Sequence, residues 1–413
     1  MRILHTSDWH LGQHFMGKSR EAEHQALIDW LLVQVEAGAV DAVLIAGDIF
    51  DTGAPPSYAR ALYSQFVARL HAAGVALLLL GGNHDAVSVL DDSRALLACL
   101  QTTVIAAVGA AQAHVVTLPE RGGAPGCIVC ALPFMRARDV VQSQAGQSAE
   151  DKQQALQAAI QATYQAVYAQ AQARQAQLHE ATGRLLPIIA TGHLTTVGAS
   201  SNESVREIYV GALEAFPTNA FPAAHYIALG HIHKPQKVGG LEHIRYSGSP
   251  IALGFDEARQ AKQVLLVDVG PAGLEAVTPL PVPRFQPLAA VAATLADLPP
   301  LLAAAAQAGT PQRPVWLEVT VQGDDYLQDL AVRVEALLQD LPLELLRIRR
   351  QRGAAAAQLA GAAHESLDAL TPEEVFARRL AAETLAPELE AALGERYRGV
   401  LAQVRAASEG HGA

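Results

Sequence analysis

The sequence predicts an α/β protein with more than one domain. Apolar runs at 2–6, 42–46 and 75–80 have the length and composition of buried strands, and helical patterns separate them. Strands that alternate with helices in this way pair in parallel. A chain of 413 residues exceeds what one hydrophobic core usually supports, and a proline-rich stretch at 279–287 marks a domain boundary. We therefore expect a large α/β domain followed by smaller units.

The first hundred residues carry the alternation of strands and helices. A helix is predicted from about Arg20 to Glu36, because its apolar residues recur at helical spacing. A second helix is predicted from Ser57, as the N-cap, to about His71. Each of the three apolar strands then ends directly before a polar motif, which is the arrangement typical of a ligand site in an open α/β sheet.

The middle of the chain changes to shorter strands with Gly/Pro turns. Residues 148–180 are rich in Ala and Gln, and their apolar stripe predicts one long amphipathic helix; disorder is the alternative. Further strands are predicted at 185–190, 226–229, 243–247 and 263–269.

The organisation predicted for the chain has three parts. Residues 1–278 form the large domain, and 279–352 read as strand, helix and strand, hence a small α+β domain. Residues 353–413 contain a low-complexity connector and C-terminal helices, the first of which opens at Thr371-Pro372 and carries Val375, Phe376 and Leu380.

Composition restricts the class of protein. No signal peptide is expected after Met1, and no apolar run reaches the roughly 18 residues of a membrane span. Three cysteines make no disulfide framework, which suits a cytoplasmic protein. Cys127 and Cys130 form a CxxC, but positions three apart in a strand face opposite sides. The net charge of −11 argues against coating nucleic acid by charge alone, although metals and local arginines can still hold phosphates.

Polar clusters at strand ends carry the functional signal. They are Asp8-x-His10, Gly47-Asp48-x-x-Asp51, Gly82-Asn83-His84-Asp85, Thr191-Gly-His193 and Gly230-His231-Ile-His233. In extended backbone, residues two apart face one side, so Asp8 with His10 and His231 with His233 can each chelate together. Asp, Asn and His ligands suit manganese or iron. A carboxylate shared by two ions, which we expect to be Asp48, holds them roughly 3.5–4 Å apart for displacement at phosphorus.

The remaining histidines are interpreted as structural or solvent-facing. They are His5, His14, His24, His71, His114, His179, His225, His243, His364 and His411.

The series of motifs resembles that of the calcineurin-like metallophosphoesterases. More closely, residues 1–13, 46–60, 190–200 and 226–233 are similar to the SbcD family, the nuclease subunits of bacterial SbcCD complexes. The similarity covers most of residues 1–260 and returns at 314–318 and 373–380. It implies an α/β/β/α fold, a β-sandwich flanked by helices, followed by a small α+β capping domain and C-terminal helices.

The resemblance also implies a ligand set and a catalytic residue. Asp8, His10, Asp48 and His233 would hold one metal ion, and Asp48, Asn83, His193 and His231 would hold the other, with Mn2+ preferred. His84 would stabilise the transition state and protonate the leaving oxygen, and Asp85 would orient or tune His84. Asp51 fits a turn-capping role equally well.

The implied activity is hydrolysis of DNA phosphodiesters in DNA recombination, replication and repair. With its partner, an SbcC-like SMC-type ATPase, the family acts as an ATP-dependent double-strand exonuclease and a single-strand or hairpin endonuclease. A homodimer through helices near 57–71 and 91–100 is also implied. The capping domain would touch DNA, with Arg347, Arg349, Arg350 and Arg352 as candidate phosphate contacts or a solvated strand edge. Val375, Phe376 and Leu380 would dock on SbcC.

Alternative functions are a small-molecule or protein phosphoesterase on the same metal core, and a non-catalytic scaffold. A further motif, Gly12-Gln-His-Phe-Met-Gly-Lys18-Ser19, matches the phosphate-loop pattern. Its bulky interior residues disfavour a backbone cradle for phosphate.

Overall fold

The computed structural model describes residues 1–141, 148–200, 215–323 and 329–351, together with Phe376 and a few residues between 392 and 400. The chain divides into two compact units, Met1–Ala289 and Ala290–Ala413. Among the described residues, no helix is both long enough and apolar enough to cross a membrane.

The first unit contains fourteen strands and six α-helices within the described ranges. The strands are β1 Arg2–Thr6, β2 His14–Phe15, β3 Lys18–Ser19, β4 Ala42–Ile45, β5 Ala76–Leu80, β6 Thr102–Ile105, β7 Val115–Pro119, β8 Pro125–Cys130, β9 Ile188–His193, β10 Tyr226–Gly230, β11 Gln236–Val238, β12 Leu241–Tyr246, β13 Gln263–Gly270 and β14 Gly273–Pro281. The helices are α1 Glu21–Ala37, α2 Ser57–Ala72, α3 Val87–Asp91, α4 Arg94–Cys99, α5 Ala137–Val140 and α6 Ala149–Thr182.

Two six-stranded sheets form the framework of this unit. The first has the order β14-β13-β1-β4-β5-β6, and the second has the order β11-β12-β10-β9-β8-β7. In the first sheet β1, β4, β5 and β6 are parallel, as predicted from the alternation of strands and helices. In the second sheet β8, β9, β10 and β12 are parallel. The carboxyl ends of the strands that carry the polar motifs therefore lie at one edge of each sheet.

Three apolar layers hold the sheets and helices together. The layer between the two sheets contains Leu44 and Leu78 from the first and Val129 and Ala228 from the second. The outer face of the first sheet packs against α1 and α2, and the outer face of the second packs against α6. This is the α/β/β/α arrangement that the sequence resemblance implied.

The long helix α6 confirms the prediction of order in the Ala/Gln-rich segment. Ser148 and Asp151 form a capping box at its start, and Gly183 ends it in the left-handed conformation with φ 70°. Tyr164 on its apolar stripe is fully buried and donates a hydrogen bond to the carbonyl of Thr191 at 2.8 Å. The helix therefore braces the strand that ends in His193.

Two local predictions differ from the structure. Ser57 is the first helical residue of α2 rather than its N-cap, since the cap position is Pro56. The proline-rich stretch is not purely a linker, because Pro279 and Pro281 lie in β14 and pair with Leu265 and Gln263. β14 is an edge strand, where a residue without an N–H group is tolerated. The first compact unit accordingly extends to Ala289, beyond the boundary predicted at 278.

The segment that matches the phosphate-loop pattern is a β-hairpin. His14 pairs with Ser19 and Phe15 with Lys18, so the segment leads into a two-stranded ribbon and not directly from a strand into a helix. Met16 and Gly17 at its tip have φ angles of 49° and 83°, as in a tight hairpin turn. This geometry excludes a phosphate loop.

The cysteine pair has no chemistry in common. Cys127 packs in the layer between the sheets, whereas Cys130 packs beneath α6 on the opposite face of β8. Burial raises the pKa of both thiols to about 12.

The second unit contains a three-stranded sheet of the order β15-β16-β17. Its elements are β15 Leu288–Ala293, α7 Leu298–Ala306, β16 Val315–Gln322, α8 Leu330–Leu337 and β17 Leu343–Gln351. β16 and β17 are parallel and joined through α8, which confirms the predicted strand, helix and strand. Arg347 pairs with Glu318, while Arg349 and Arg350 are exposed on β17. Arg352, Val375 and Leu380 lie outside the described residues.

Candidate metal centre

The predicted ligands lie at the carboxyl ends of five strands. Asp8 and His10 follow β1, Asp48 follows β4, Asn83 follows β5, His193 is the last residue of β9, and His231 and His233 follow β10. The first sheet supplies the carboxylates, the amide and His10, and the second sheet supplies the other three histidines. The site therefore lies across the interface between the sheets.

The backbone at the first ligands is left-handed, and the expectation of extended backbone at Asp8 and His10 was wrong. Asp8, His10 and Asp48 have φ angles of 54°, 47° and 52°. Such conformations cost on the order of 1–3 kcal/mol each in non-glycine residues. They are stabilised by hydrogen bonds between the two loops, from the amide of Asp8 to Gly47 O at 3.0 Å and from that of His10 to Asp48 O at 3.1 Å. The tightly curled loops turn both side chains toward the same place.

Glycines permit the close approach of the loops. Gly47 has φ 95°, and a Cβ atom there would lie 2.2 Å from Nδ1 of His193. A Cβ atom on Gly82 would lie 2.1 Å from Oδ1 of Asp48. A methyl group at either position would occupy space that a ligand side chain now fills, so the glycines are a steric requirement of the site.

Two sets of potential ligands meet at Asp48. The atoms of Asp8, His10 and His233 lie within 4.8 Å of one another, as do those of Asp48, His193 and His231. Oδ2 of Asp48 is 3.2 Å from Nε2 of His193 and 3.7 Å from Nε2 of His10. Asp48 therefore faces both sets.

Asn83 belongs to the second set. Its Oδ1 lies 2.9 Å from Nε2 of His193, the nitrogen that also faces Asp48. All seven predicted ligands are thus brought together.

The side chains fit a divalent cation. Nε2 of His10 and Nε2 of His231 are buried and have no hydrogen-bond partner in the described part of the chain. Burying an unpaired polar atom costs about 1–3 kcal/mol. Both nitrogens face carboxylates across gaps too wide for a hydrogen bond, where a cation would satisfy them.

Three histidines are fixed through their other ring nitrogen. Nδ1 of His193 donates to the carbonyl of Ala46 at 2.8 Å, which leaves Nε2 toward the site. Nδ1 of His10 lies 3.1 Å from Oδ1 of Asp51, and Nδ1 of His233 lies 2.9 Å from Oε1 of Glu257. Bonds of this kind select the tautomer and orient the ring of a metal-binding histidine.

Glu257 is a residue that the sequence analysis missed. It lies 24 positions after His233, in the turn Gly254-Phe-Asp-Glu257, and no motif spacing links the two. Burial alone would raise the pKa of Glu257, but hydrogen bonding with His233 and the charge of Lys262 hold it well below its usual range.

The electrostatics of the second set centre on one carboxylate. Burial lowers the pKa of His193, but the adjacent Asp48 carboxylate raises it more, to about 9. Burial raises the pKa of Asp48, and the charge and hydrogen bond of His193 lower it well below its usual range. Burial and the neighbouring His193 lower the pKa of His231. The carboxylate is therefore ionised, as metal ligation requires.

Asp85 has a different environment from the one expected. Its carboxylate accepts hydrogen bonds from the amides of Ile49, Phe50 and Gly82 at 3.2, 2.9 and 2.9 Å. None of its described hydrogen bonds reaches the ring of His84, so the expected orienting contact is not formed. Burial, and then the charge of Asp48, raise the pKa of Asp85 to about 6. Its contacts tie the loop after β5 to the loop after β4.

His84 is held by Asp51 instead. Nδ1 of His84 lies 2.8 Å from the carbonyl of Asp51, and the ring packs edge-on against His10 with centroids 4.8 Å apart. The amide of His84 donates to Oδ1 of Asp48 at 2.9 Å. Asp51, whose role the sequence left open, therefore orients two rings of the site, His10 by its side chain and His84 by its backbone.

The fold and the site define a metallophosphoesterase. The family model described as calcineurin-like phosphoesterase matches residues 1–125, and membership implies binding of divalent metal by the Asp and His clusters. A second family model, described as type 5 capsule protein repressor C-terminal domain, matches residues 284–384.

The relatives identify the particular family. The chain is 50% identical over 385 residues to SbcD, the nuclease subunit of SbcCD, from Escherichia coli K12, covering 93% of this chain and 94% of that protein. It is 35% identical to the SbcD protein of Rhodobacter capsulatus, covering 91% and 94% of the two chains, and 32% identical to that of Bacillus subtilis, covering 66% and 67%. The chain belongs to the SbcD family of nuclease subunits.

Proposed function

We propose that the chain hydrolyses DNA phosphodiesters at a centre of two divalent metal ions, with Mn2+ preferred. The single observation that supports a dinuclear centre best is the position of Asp48, whose Oδ2 faces His193 of one set and His10 of the other. One ion would be held by Asp8, His10, Asp48 and His233, and the other by Asp48, Asn83, His193 and His231. The mixed oxygen and imidazole ligands suit Mn2+.

The ions, when bound, supply an activated water and neutralise the charge that develops on the phosphate. The chain's own residues position the reaction. Asp8, Asp48 and Asn83 offer fixed oxygen atoms, because their loops are bound to one another through the backbone.

His84 would give a proton to the leaving oxygen. A carbonyl can only accept, so the contact with Asp51 O requires a proton on Nδ1 of His84. A proton for the leaving group must then come from Nε2, and the ring acts as an acid in its doubly protonated form. The Asp51 carbonyl favours that form, because it accepts a hydrogen bond from the charged ring.

The proposed biological setting follows the relatives, whose printed names make them subunits of SbcCD. We propose an SbcC-like SMC-type ATPase as the partner, contacts from residues 353–413 to it, and a homodimer within the assembly. The complex would act in the cytoplasm on DNA ends, hairpins and single strands, in recombination, replication and repair. Residues 279–352 would form the capping domain beside the DNA.

The acidic character of the chain agrees with a partner that supplies much of the DNA affinity. With a net charge of −11, the isolated subunit should bind DNA weakly. Binding should be measured across a salt series with and without SbcC. Tight, salt-sensitive binding by the lone subunit would contradict this division of roles.

The activity is tested on two substrates with added Mn2+. Cleavage of hairpin or single-stranded DNA supports the proposal. Hydrolysis of an aryl phosphodiester without any cleavage of DNA would instead support a small-molecule phosphoesterase. Full Mn2+ occupancy with neither activity would support a scaffold.

A further inference from the structure

A buried ion pair lies behind one of the histidines of the site. Glu257 is fully buried in the segment between β12 and β13, and its Oε1 lies 2.9 Å from Nδ1 of His233. Its other oxygen, Oε2, lies 2.5 Å from Nζ of Lys262, whose residue is 8% exposed. One carboxylate thus contacts an imidazole through one oxygen and an ammonium through the other.

The surrounding bonds fix this pair rigidly. Oε2 of Glu257 also accepts from the amide of Leu253 at 3.0 Å and lies 3.3 Å from Oγ of Ser249. Lys262 donates to Oγ of Ser249 at 2.9 Å and to the backbone carbonyl of His233 at 3.1 Å. Both the side chain and the backbone of His233 are therefore tied to the same network.

We propose that Glu257, held by Lys262, is a positioning residue that presents Nε2 of His233 to the metal site. The inference rests on the proposed dinuclear centre. An ionised carboxylate can only accept, so it keeps a proton on Nδ1 of His233 and leaves the lone pair on Nε2. Nε2 then faces the set formed with Asp8 and His10. A carboxylate behind a histidine also makes the imidazole a more basic ligand.

The two sets differ in this respect, and the difference makes the inference selective. The ring of His193 is oriented by a backbone carbonyl, that of Ala46, which no side-chain substitution removes. Loss of the charge at Glu257 should therefore weaken the set that contains His233 and leave the set that contains His193 intact.

The test is Mn2+ binding by the full-length chain, followed by calorimetry and by electron paramagnetic resonance. The wild type should bind two ions and show a coupled Mn–Mn signal. Glu257→Gln preserves size but removes the charge, and it should weaken one site by about 10–100-fold and give an uncoupled signal at limiting metal. Glu242→Gln is the matched control, since Glu242 is an exposed glutamate that pairs with Lys237 and Arg245.

Three outcomes would overturn the inference. Two tight sites and a coupled signal in Glu257→Gln would show that the carboxylate has no effect on the ligand. Loss of both ions together with a lower melting temperature would show that it only supports the fold. Failure of the wild type to bind two ions would instead contradict the proposed centre, and the inference with it.

A second measurement does not depend on a variant at Glu257. In the Zn2+-loaded wild type, nitrogen NMR of the imidazole of His233, assigned by its loss in His233→Asn, should show a protonated Nδ1 and a metal-bound Nε2. Metal bound through Nδ1 would overturn the inference.

Discussion

The carboxylate of Asp85 holds the backbone of Phe50, with Oδ1 2.9 Å from the amide nitrogen. Its other oxygen accepts from the amides of Ile49 and Gly82. Three N–H groups from two loops thus converge on one side chain that is 3% exposed. Asp48 lies between these loops, so the position of the central carboxylate depends on Asp85 although Asp85 is not a ligand.

Asp85→Asn should destabilise the protein and impair metal binding. Wherever the amide nitrogen replaces a carboxylate oxygen, a donor faces buried N–H donors, at a cost of about 1–3 kcal/mol. Urea unfolding and Mn2+ calorimetry measure the two effects. Asp91→Asn is the control, because Asp91 is exposed on α3. Unchanged stability and metal affinity in Asp85→Asn would contradict the role we assign.

Asp48→Ala should empty both metal positions. The carboxylate faces His10 and His193 at once, so neither set retains its ligands when it is removed. Metal content by mass spectrometry should fall from two ions to none. Asp29→Ala, which removes an exposed carboxylate paired with Arg69, should retain two. One ion remaining in Asp48→Ala would mean that Asp48 serves a single position.

His84→Ala should keep the fold and both metal ions but lose cleavage by at least about 100-fold, the contribution expected of a general acid. The reason is that His84 contacts the centre through its backbone amide, which alanine retains. DNA cleavage and Mn2+ content should be measured together, with His179→Ala on the exposed face of α6 as the control. A loss of metal in His84→Ala would identify His84 as a ligand.

Gly82→Ala tests the steric argument. The added methyl group would lie 2.1 Å from Oδ1 and 2.3 Å from the backbone nitrogen of Asp48, so the loop must move away from the site. We expect loss of at least one Mn2+ ion and of most activity. Gly122→Ala is matched to it, since a methyl group there would have no atom within 4 Å in the described part of the chain. Equal metal content in both variants would refute the argument.

His5 should make stability depend on pH. Its Nδ1 is 2.9 Å from the hydroxyl of Tyr226, and burial lowers its pKa from 6.5 to about 3. Between these values the unfolded chain binds a proton that the folded chain does not, so stability is fully present above pH 6.5 and is lost as the pH falls.

The expected slope is up to about 1.4 kcal/mol per pH unit. Unfolding free energies of the wild type and of His5→Gln, which does not titrate, should be compared from pH 7 to pH 4. The wild type should lose more stability than the variant over this range. Parallel curves would show that His5 is not buried in its neutral form.

The sequence predicted the metal ligands because local patterns determine where they lie. Apolar strands end directly before Asp8, Asp48 and Asn83, and parallel pairing brings those ends together. The helix α6 was predictable for the same reason, since its apolar stripe is a local property.

The supporting residues could not be predicted, because they depend on tertiary folding. Glu257 reaches His233 only after the segment between β12 and β13 folds back on the site. Asp85 is adjacent to His84 in sequence, yet its side chain turns toward Phe50. The left-handed backbone of His10 is imposed by hydrogen bonds to a different loop, which no local preference of histidine indicates.

The division of the ligands between the two sheets has a consequence for assembly. Asp8 follows the first strand of the chain, while its candidate co-ligand His233 follows a strand of the other sheet. The amide of His231 already donates to the carboxylate of Asp8 at 3.0 Å across this boundary. Metal bound there would act as a cross-link between the halves of the sandwich. A chain in which the sheets have not docked lacks the complete ligand set, so the capacity to cut DNA is acquired only when folding of this unit is finished.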